Sequence, residues 1–141
     1  MDSHECICAC IPSECSELIE LLKETRLYSG IVDTEEAFRN KLTHDPESIL
    51  VYVHDGHIVG MVVVVFDPWA SFIWHLAITP SCQKKGFGEK LLAAAESLIT
   101  RRGGSVTCGY ILDRNHPSRS LFRKCGYVEH LMSLSAVEKR L

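Results

Sequence analysis

The sequence has no large excess of one charge, no long apolar run and no cluster of positive charge among its first residues. Fifteen basic residues against 18 acidic ones leave a formal charge of -3, which offers no footprint for nucleic acid or for an anionic membrane. Any anion site must therefore be local. The longest apolar run, Met61 to Phe66, is far too short to span a bilayer. The start Met1-Asp2-Ser3-His4-Glu5 is polar and acidic, unlike a signal peptide. A soluble, cytosolic protein that engages neither membrane nor nucleic acid is the expectation. Repeats, linkers and low-complexity tracts are also missing, and 141 residues leave room for one domain, residues 1–141, burying roughly two-thirds of the unfolded chain's surface. Seven cysteines is an odd number in a chain that can build a core without staples, so reduced thiols are expected rather than a disulfide framework.

What is present is a mixed pattern of periods. Cys6, Cys8 and Cys10 alternate with Ile7, Ala9 and Ile11, as in a strand that Pro12-Ser13 ends. From Ser13, read as a cap, Leu18, Leu21 and Leu22 follow helical spacing to Thr25. A second helix begins near Asp33-Thr34, with Glu35 and Glu36 in its first turn. The runs 49–54 and 57–66 flank Asp55-Gly56, a strong hairpin signal, so the sheet is at least partly antiparallel. A third run covers 69–79, a helix runs from Phe87 to Arg101 and stops at Gly103-Gly104, and 105–112 reads as a strand. Asn115 and Pro117 open a last helix that Gly126 stops, before strand-like stretches at Tyr127-Val128 and Leu134 to Val137. The order β-α-α-β-β-β-α-β-α-β-β is that of an α/β domain on a mixed sheet.

The informative stretch is Trp74-His75-Leu76-Ala77-Ile78-Thr79-Pro80 leading into Gln83-Lys84-Lys85-Gly86-Phe87-Gly88-Glu89-Lys90: a strand, a tight turn and a helix start. Glycines at 86 and 88 let main chain approach a ligand, and the unpaired amides and dipole of a helix's first turn favour an anion such as a pyrophosphate. Lys84, Lys85 and Lys90 add charge, and Gln83 can donate from its amide. A dinucleotide fingerprint would need a third glycine where Leu91 stands, and a P-loop would need a Gly-Lys-Ser/Thr ending that is absent.

This stretch resembles the acyl-CoA motif of the GNAT N-acetyltransferase superfamily, Gln/Arg-x-x-Gly-x-Gly/Ala after a strand ending in an apolar pair and Pro. Asn115, Ser118, Leu121, Phe122, Lys124, Gly126 and Tyr127 resemble the family's second motif at matching spacing. The element order is similar too, and the ending Ser133 to Leu141 resembles the small bacterial members called YpeA-like. The resemblance implies a mixed, mostly antiparallel central sheet with splayed central strands flanked by about four helices. It implies acetyl-CoA as acyl donor, with pantetheine on the main chain of Leu76, Ala77 and Ile78 and pyrophosphate on amides from Gln83 through Lys84, Lys85, Gly86, Phe87 and Gly88 to Glu89. Asn115 and Phe122 would close over the thiol end, no metal would take part, and the backbone amide of Ile78 would stabilise the oxyanion. Small members often pair as homodimers, a state the sequence leaves open.

The acceptor would be an amine-bearing small molecule or peptide, bordered by Phe72, Trp74, Trp69 and the loop Leu27 to Asp33. Direct attack requires a neutral amine, and a lysine amine of pKa ~10.4 is only about one part in a thousand neutral at pH 7. Positions where several family members carry Glu or His align with Phe72 and Trp74, and the usual thiolate-protonating tyrosine aligns with Phe122. Tyr110 is then the leading polar side chain for acid or base work, against a packed tyrosine with a bonded hydroxyl. Strand alternation puts His75 opposite Phe72 and Trp74, as a packed or surface histidine, and Asp67 reads as a turn residue before Pro68. His4, Cys6, Cys8, Cys10 and Cys15 would converge on a metal only from a distorted strand. No histidine is placed to activate Cys82, Cys108 or Cys125. The reading is an N-acetyltransferase acting on a primary amine in a ternary complex; the alternative is a non-catalytic acyl-CoA-binding sensor or interaction module.

Overall fold

Five strands form one sheet in the computed structural model, which describes residues 4–141 of the chain. The polar start at Met1-Asp2-Ser3 lies outside the described residues. The strands are β1 (Glu5–Ala9), β2 (Ile49–His54), β3 (His57–Val65), β4 (Ser71–Ile78) and β5 (Thr107–Gly109). They lie side by side in chain order, antiparallel from β1 to β4 and parallel between β4 and β5. The β2–β3 turn places Asp55 at φ 49° and Gly56 at φ 80°, the two left-handed residues that a tight hairpin turn requires.

Alternation along the strands gives the sheet two apolar faces, each covered by helices. Ile49, Val51, Met61, Val63 and Ala77 meet Leu18, Leu21 and Leu22 of α1 (Cys15–Glu24) and Phe38 and Leu42 of α2 (Glu35–His44). A helical turn at Pro12–Glu14, in which the Ile11 amide donates to Glu14 Oε1 at 2.9 Å, starts α1, so the expected Ser13 cap is not used. Thr34 does cap α2, accepting from the Ala37 amide at 3.0 Å. The other face packs against α3 (Phe87–Arg101), whose Leu91, Leu92, Ala95, Leu98 and Ile99 are buried. Gly60 makes this approach close: a Cβ there would lie 2.6 Å from Ile78 Cδ1 and 2.9 Å from Leu91 Cδ1. At the far end of α3, Arg102 grips Asp45 with two bonds of 2.6 and 2.9 Å. Its guanidinium holds the Asp45 carboxyl below the ordinary carboxylate value.

The chain divides after Tyr110 into two compact units. The second carries α4 (His116–Lys124), capped by the Asn115 side chain, which accepts from the Ser118 amide at 3.3 Å. The expected strands at Tyr127-Val128 and Leu134 to Val137 do not form: among the described residues no strand follows α4. The helix end explains the first of these. Gly126, at φ 92°, donates to the Arg123 carbonyl and Tyr127 to the Phe122 carbonyl, each at 3.0 Å, while the Phe122 and Tyr127 rings pack 4.8 Å apart. That is a complete Schellman cap with its apolar contact, so Tyr127 belongs to the helix terminus. Arg119 and Arg123 then hold Glu129 at 2.7 and 2.9 Å. Residues 134–137 have no ladder partner, and Val137 is 90% exposed.

Candidate active site

The site begins with a fault in the sheet. Val63 stands opposite Trp74 and Met61 opposite Ala77, so two steps along β3 face three along β4. The surplus residue is a β-bulge, and His75 takes the left-handed backbone at φ 46°. Beyond the bulge β4 loses its other neighbour, because β5 pairs only with Ser71, Phe72 and Ile73. Five residues, Trp74 to Ile78, thus present an open main-chain edge.

Antiparallel alternation sets which groups face that edge. The Thr79 amide donates to the Val59 carbonyl at 2.9 Å, so the neighbouring Ile78 turns its N–H and C=O away from β3. Its carbonyl accepts from Gln83 Nε2 at 3.0 Å, which folds the following turn back toward the strand. The Thr79 hydroxyl is buried there without a hydrogen-bond partner among the described residues.

The turn itself concentrates donors. A helical turn at Pro80–Cys82 precedes Lys84 at φ 62° and Gly86 at φ 83°, and α3 starts at Phe87. Among the described residues the main-chain N–H groups of Lys84, Lys85, Gly86, Phe87 and Gly88 have no hydrogen-bond partner, while the Lys90 amide donates to the Gly86 carbonyl at 3.2 Å. Successive unpaired amides at a helix N-terminus form an anion-receiving concavity. A Cβ on Gly86 would meet nothing within 4 Å, so the space beside the turn is open. The Phe87 side chain is an anchor: it is buried and stacks on Tyr52 at 4.4 Å. Glu89 lies in the first turn of α3.

The three lysines divide. Lys84 and Lys85 are exposed and form no ion pair among the described residues. Lys90 instead reaches Glu5 Oε2 at 3.1 Å and the Tyr52 hydroxyl at 3.4 Å. The Tyr52 phenol, donating at 2.6 Å, and then the Lys90 ammonium hold the Glu5 carboxyl below its ordinary value, and Lys90 is raised by the same contacts. This ties α3 to the edge of the sheet, a link between residues 85 positions apart that spacing alone does not reveal.

On the side of α1 and α2, Trp74 is 47% exposed. Phe72 stacks with Tyr110 at 6.0 Å, and Tyr110 lies one residue past the end of β5, 64% exposed. The expected strand 105–112 is thus shorter, and Tyr110 is a surface phenol rather than a core tyrosine. His75 is the residue that sequence reasoning misplaced. The bulge breaks the alternation on which that placement rested, and the imidazole Nε2 lies 2.7 Å from Oδ1 of Asp33, in the connection between α1 and α2. No periodic signal marks a bulge, and Asp33 reads as a helix-start residue, so the pair was invisible. Asn115 and Phe122 lie in the second unit, the first capping α4 and the second buried against Tyr127.

All seven cysteines are unbridged, and burial pushes the Cys10 thiol up to about 12. Among the described residues no group of three or more His, Cys, Asp or Glu is placed to hold a metal, and no helix is long and apolar enough to cross a membrane.

The fold is an α/β sheet in which β4 keeps an edge unpaired by β5 beside a helix start whose free amides can receive an anion. The comparisons carry the assignment further: the profile described as "Acetyltransferase (GNAT) family" matches residues 15–127, and the chain belongs to that family. It is 32% identical over 115 residues to an acetyltransferase of Yersinia enterocolitica, covering 82% of each chain. An acetyltransferase of Photorhabdus laumondii is 26% identical over 125 residues, 89% of this chain and 87% of that one. In fold it matches the PaiA N-acetyltransferase of Thermoplasma acidophilum, solved with coenzyme A, at a TM-score of 0.81 and 18% identity, covering 92% of this chain and 93% of that one.

Proposed function

We propose that this GNAT protein transfers an acetyl group from acetyl-CoA to a primary amine by direct attack in a ternary complex. The observation that carries the reading is the run of unpaired amides from Lys84 to Gly88 set against the open edge of β4. Pyrophosphate fits the turn, with Gln83, Lys84, Lys85 and the Glu89 turn around it. The pantetheine arm fits the edge Leu76-Ala77-Ile78, where its amides can complete the strand that β5 leaves unpaired. The Ile78 N–H then lies where a thioester oxygen gathers charge, and a fixed donor there lowers the barrier. Tyr110 supplies the exposed phenol that protonates the departing thiolate, in place of the family tyrosine that Phe122 replaces. Phe72 and Trp74 border the acceptor. Asn115 and Phe122 are assigned to the thiol end of the donor on the family motif alone.

The reading treats residues 1–141 as one domain, since the family match runs through Tyr110, and it places the activity in the cytoplasm. A homodimer is compatible with it. Titration calorimetry with acetyl-CoA tests the binding step, and thiol release across a panel of alkyl amines and peptide α-amines tests turnover. Binding without turnover on any amine would leave the non-catalytic sensor reading instead. No binding at millimolar acetyl-CoA by folded protein refutes both.

A further inference from the structure

We propose that His75, oriented by the buried carboxylate of Asp33, is the base that deprotonates the acceptor's ammonium group; the inference rests on the acetyltransferase reading above. Two costly features meet in this pair. Asp33 is 1% exposed in its side chain, and a carboxylate is buried only where its oxygens are satisfied. Here Oδ2 accepts from the Ser29 amide at 2.7 Å and Oδ1 from His75 Nε2 at 2.7 Å. Meanwhile His75 occupies a left-handed backbone at φ 46°, a conformation that residues with a Cβ avoid. Strain of this kind persists where the surroundings over-determine it, and it clusters at functional sites. Both features are spent on one imidazole at the point where β4 leaves β5, next to Trp74.

The geometry decides the tautomer. A carboxylate only accepts, so Nε2 is the nitrogen that donates to Asp33, and in the neutral imidazole Nδ1 is the one left with the lone pair. Among the described residues nothing hydrogen-bonds Nδ1, and the side chain remains 16% exposed. The Asp33 carboxylate, 2.7 Å from Nε2, lies against the ring that takes up the proton. The bulge between Trp74 and Ala77 breaks the strict alternation of β4 at this histidine.

The step balances as follows. An ammonium acceptor gives one proton to Nδ1, and the freed nitrogen lone pair forms the N–C bond while the carbonyl π pair moves to oxygen, toward the Ile78 amide. Collapse restores the carbonyl and breaks the C–S bond, whose electron pair leaves on sulfur. A second proton from nitrogen ends on that thiolate through Tyr110. His75 returns the first proton to water, so one proton is released per turnover.

The test uses the full-length protein with acetyl-CoA and the panel amine that wild type turns over fastest. His75→Gly suits it, because glycine accepts the φ of 46° and leaves a space for free imidazole. We expect kcat to fall about 10²–10⁴-fold, the span of general base catalysis, with acetyl-CoA affinity unchanged. Added imidazole restores activity, and pyrazole, a much weaker base of the same shape, does not. His75→Gln, which can still donate to Asp33, folds as wild type and shows the same kcat loss. Rates within threefold of wild type in the folded variants, or a loss in His75→Gly indifferent to imidazole, overturn the inference and leave acetyl transfer standing. A wild type that turns over no amine overturns the reading beneath it.

Discussion

Gly86 and Gly103 allow the ligand role of the α3 turn to be separated from its backbone strain. Both sit at the ends of α3 with positive φ, 83° and 87°, and a Cβ on either would meet nothing within 4 Å. Replacing either by Trp forces an L-residue into the left-handed region at a cost of about 1–2 kcal/mol. With roughly 3–5 °C per kcal/mol for a chain of this size, each variant should melt about 3–10 °C below wild type without ligand. Acetyl-CoA separates them. At a concentration 100 times its Kd the ligand stabilises wild type by about 2.7 kcal/mol, or roughly 8–13 °C. Gly103→Trp should keep that increment in full, because its open space lies at the opposite end of the helix. Gly86→Trp should lose it, since the indole fills the approach to the unpaired amides of 84–88. Differential scanning fluorimetry over an acetyl-CoA series reads both effects. Equal increments in the two variants would refute the assignment of the pyrophosphate to this turn, and equal apo melting temperatures in wild type and variants would refute the strain argument.

Three further outcomes are expected. Lys84→Ala and Lys85→Ala should each weaken acetyl-CoA about 2–5-fold at low salt, as exposed ion pairs do, and flatten its salt dependence; Lys90→Ala, whose ammonium is committed to Glu5 and Tyr52, should leave affinity unchanged in the same calorimetric titration. Gly60→Ala should destabilise the fold by about 1–3 kcal/mol through overpacking, because its Cβ would meet the Ala77 carbonyl at 3.2 Å as well as two methyl ends; urea unfolding measures this, and a neutral result would show that α3 and β4 can yield. Asp45→Asn should cost about 1 kcal/mol at pH 7, given its bidentate but partly exposed partner Arg102. The Asp45 pKa is depressed in the folded state, chiefly by the hydrogen bond from Arg102. Its contribution is therefore full above the unfolded value of about 4 and is lost as pH falls through the folded one. Urea unfolding of wild type and variant should accordingly converge in acid, and a gap that persists there would contradict the linkage.

Local order in the chain was enough to locate the hairpin at Asp55-Gly56, the helices at 15–24, 35–44, 87–101 and 116–124, and the turn that starts α3. Each rests on short-range chemistry: a positive-φ turn, an apolar stripe, a Thr34 or Asn115 cap, a glycine stop. Strands at 127–128 and 134–137 failed because strand propensity needs a partner, whereas Tyr127 found its bonds in the helix cap beside it.

What the sequence by itself determined is the element order as far as α4 and the glycine-bearing turn, since both are written in contiguous residues. Only the tertiary structure decided which groups are free. It spent Lys90 on Glu5, which lies 85 residues away, left Lys84 and Lys85 exposed, ended β5 at Gly109 so that β4 keeps an open edge, and inserted His75 as a bulge against Asp33. The reason is physical: a bulge, an ion pair across the sheet and an unpaired edge are properties of how distant segments meet, and no period along the chain encodes them.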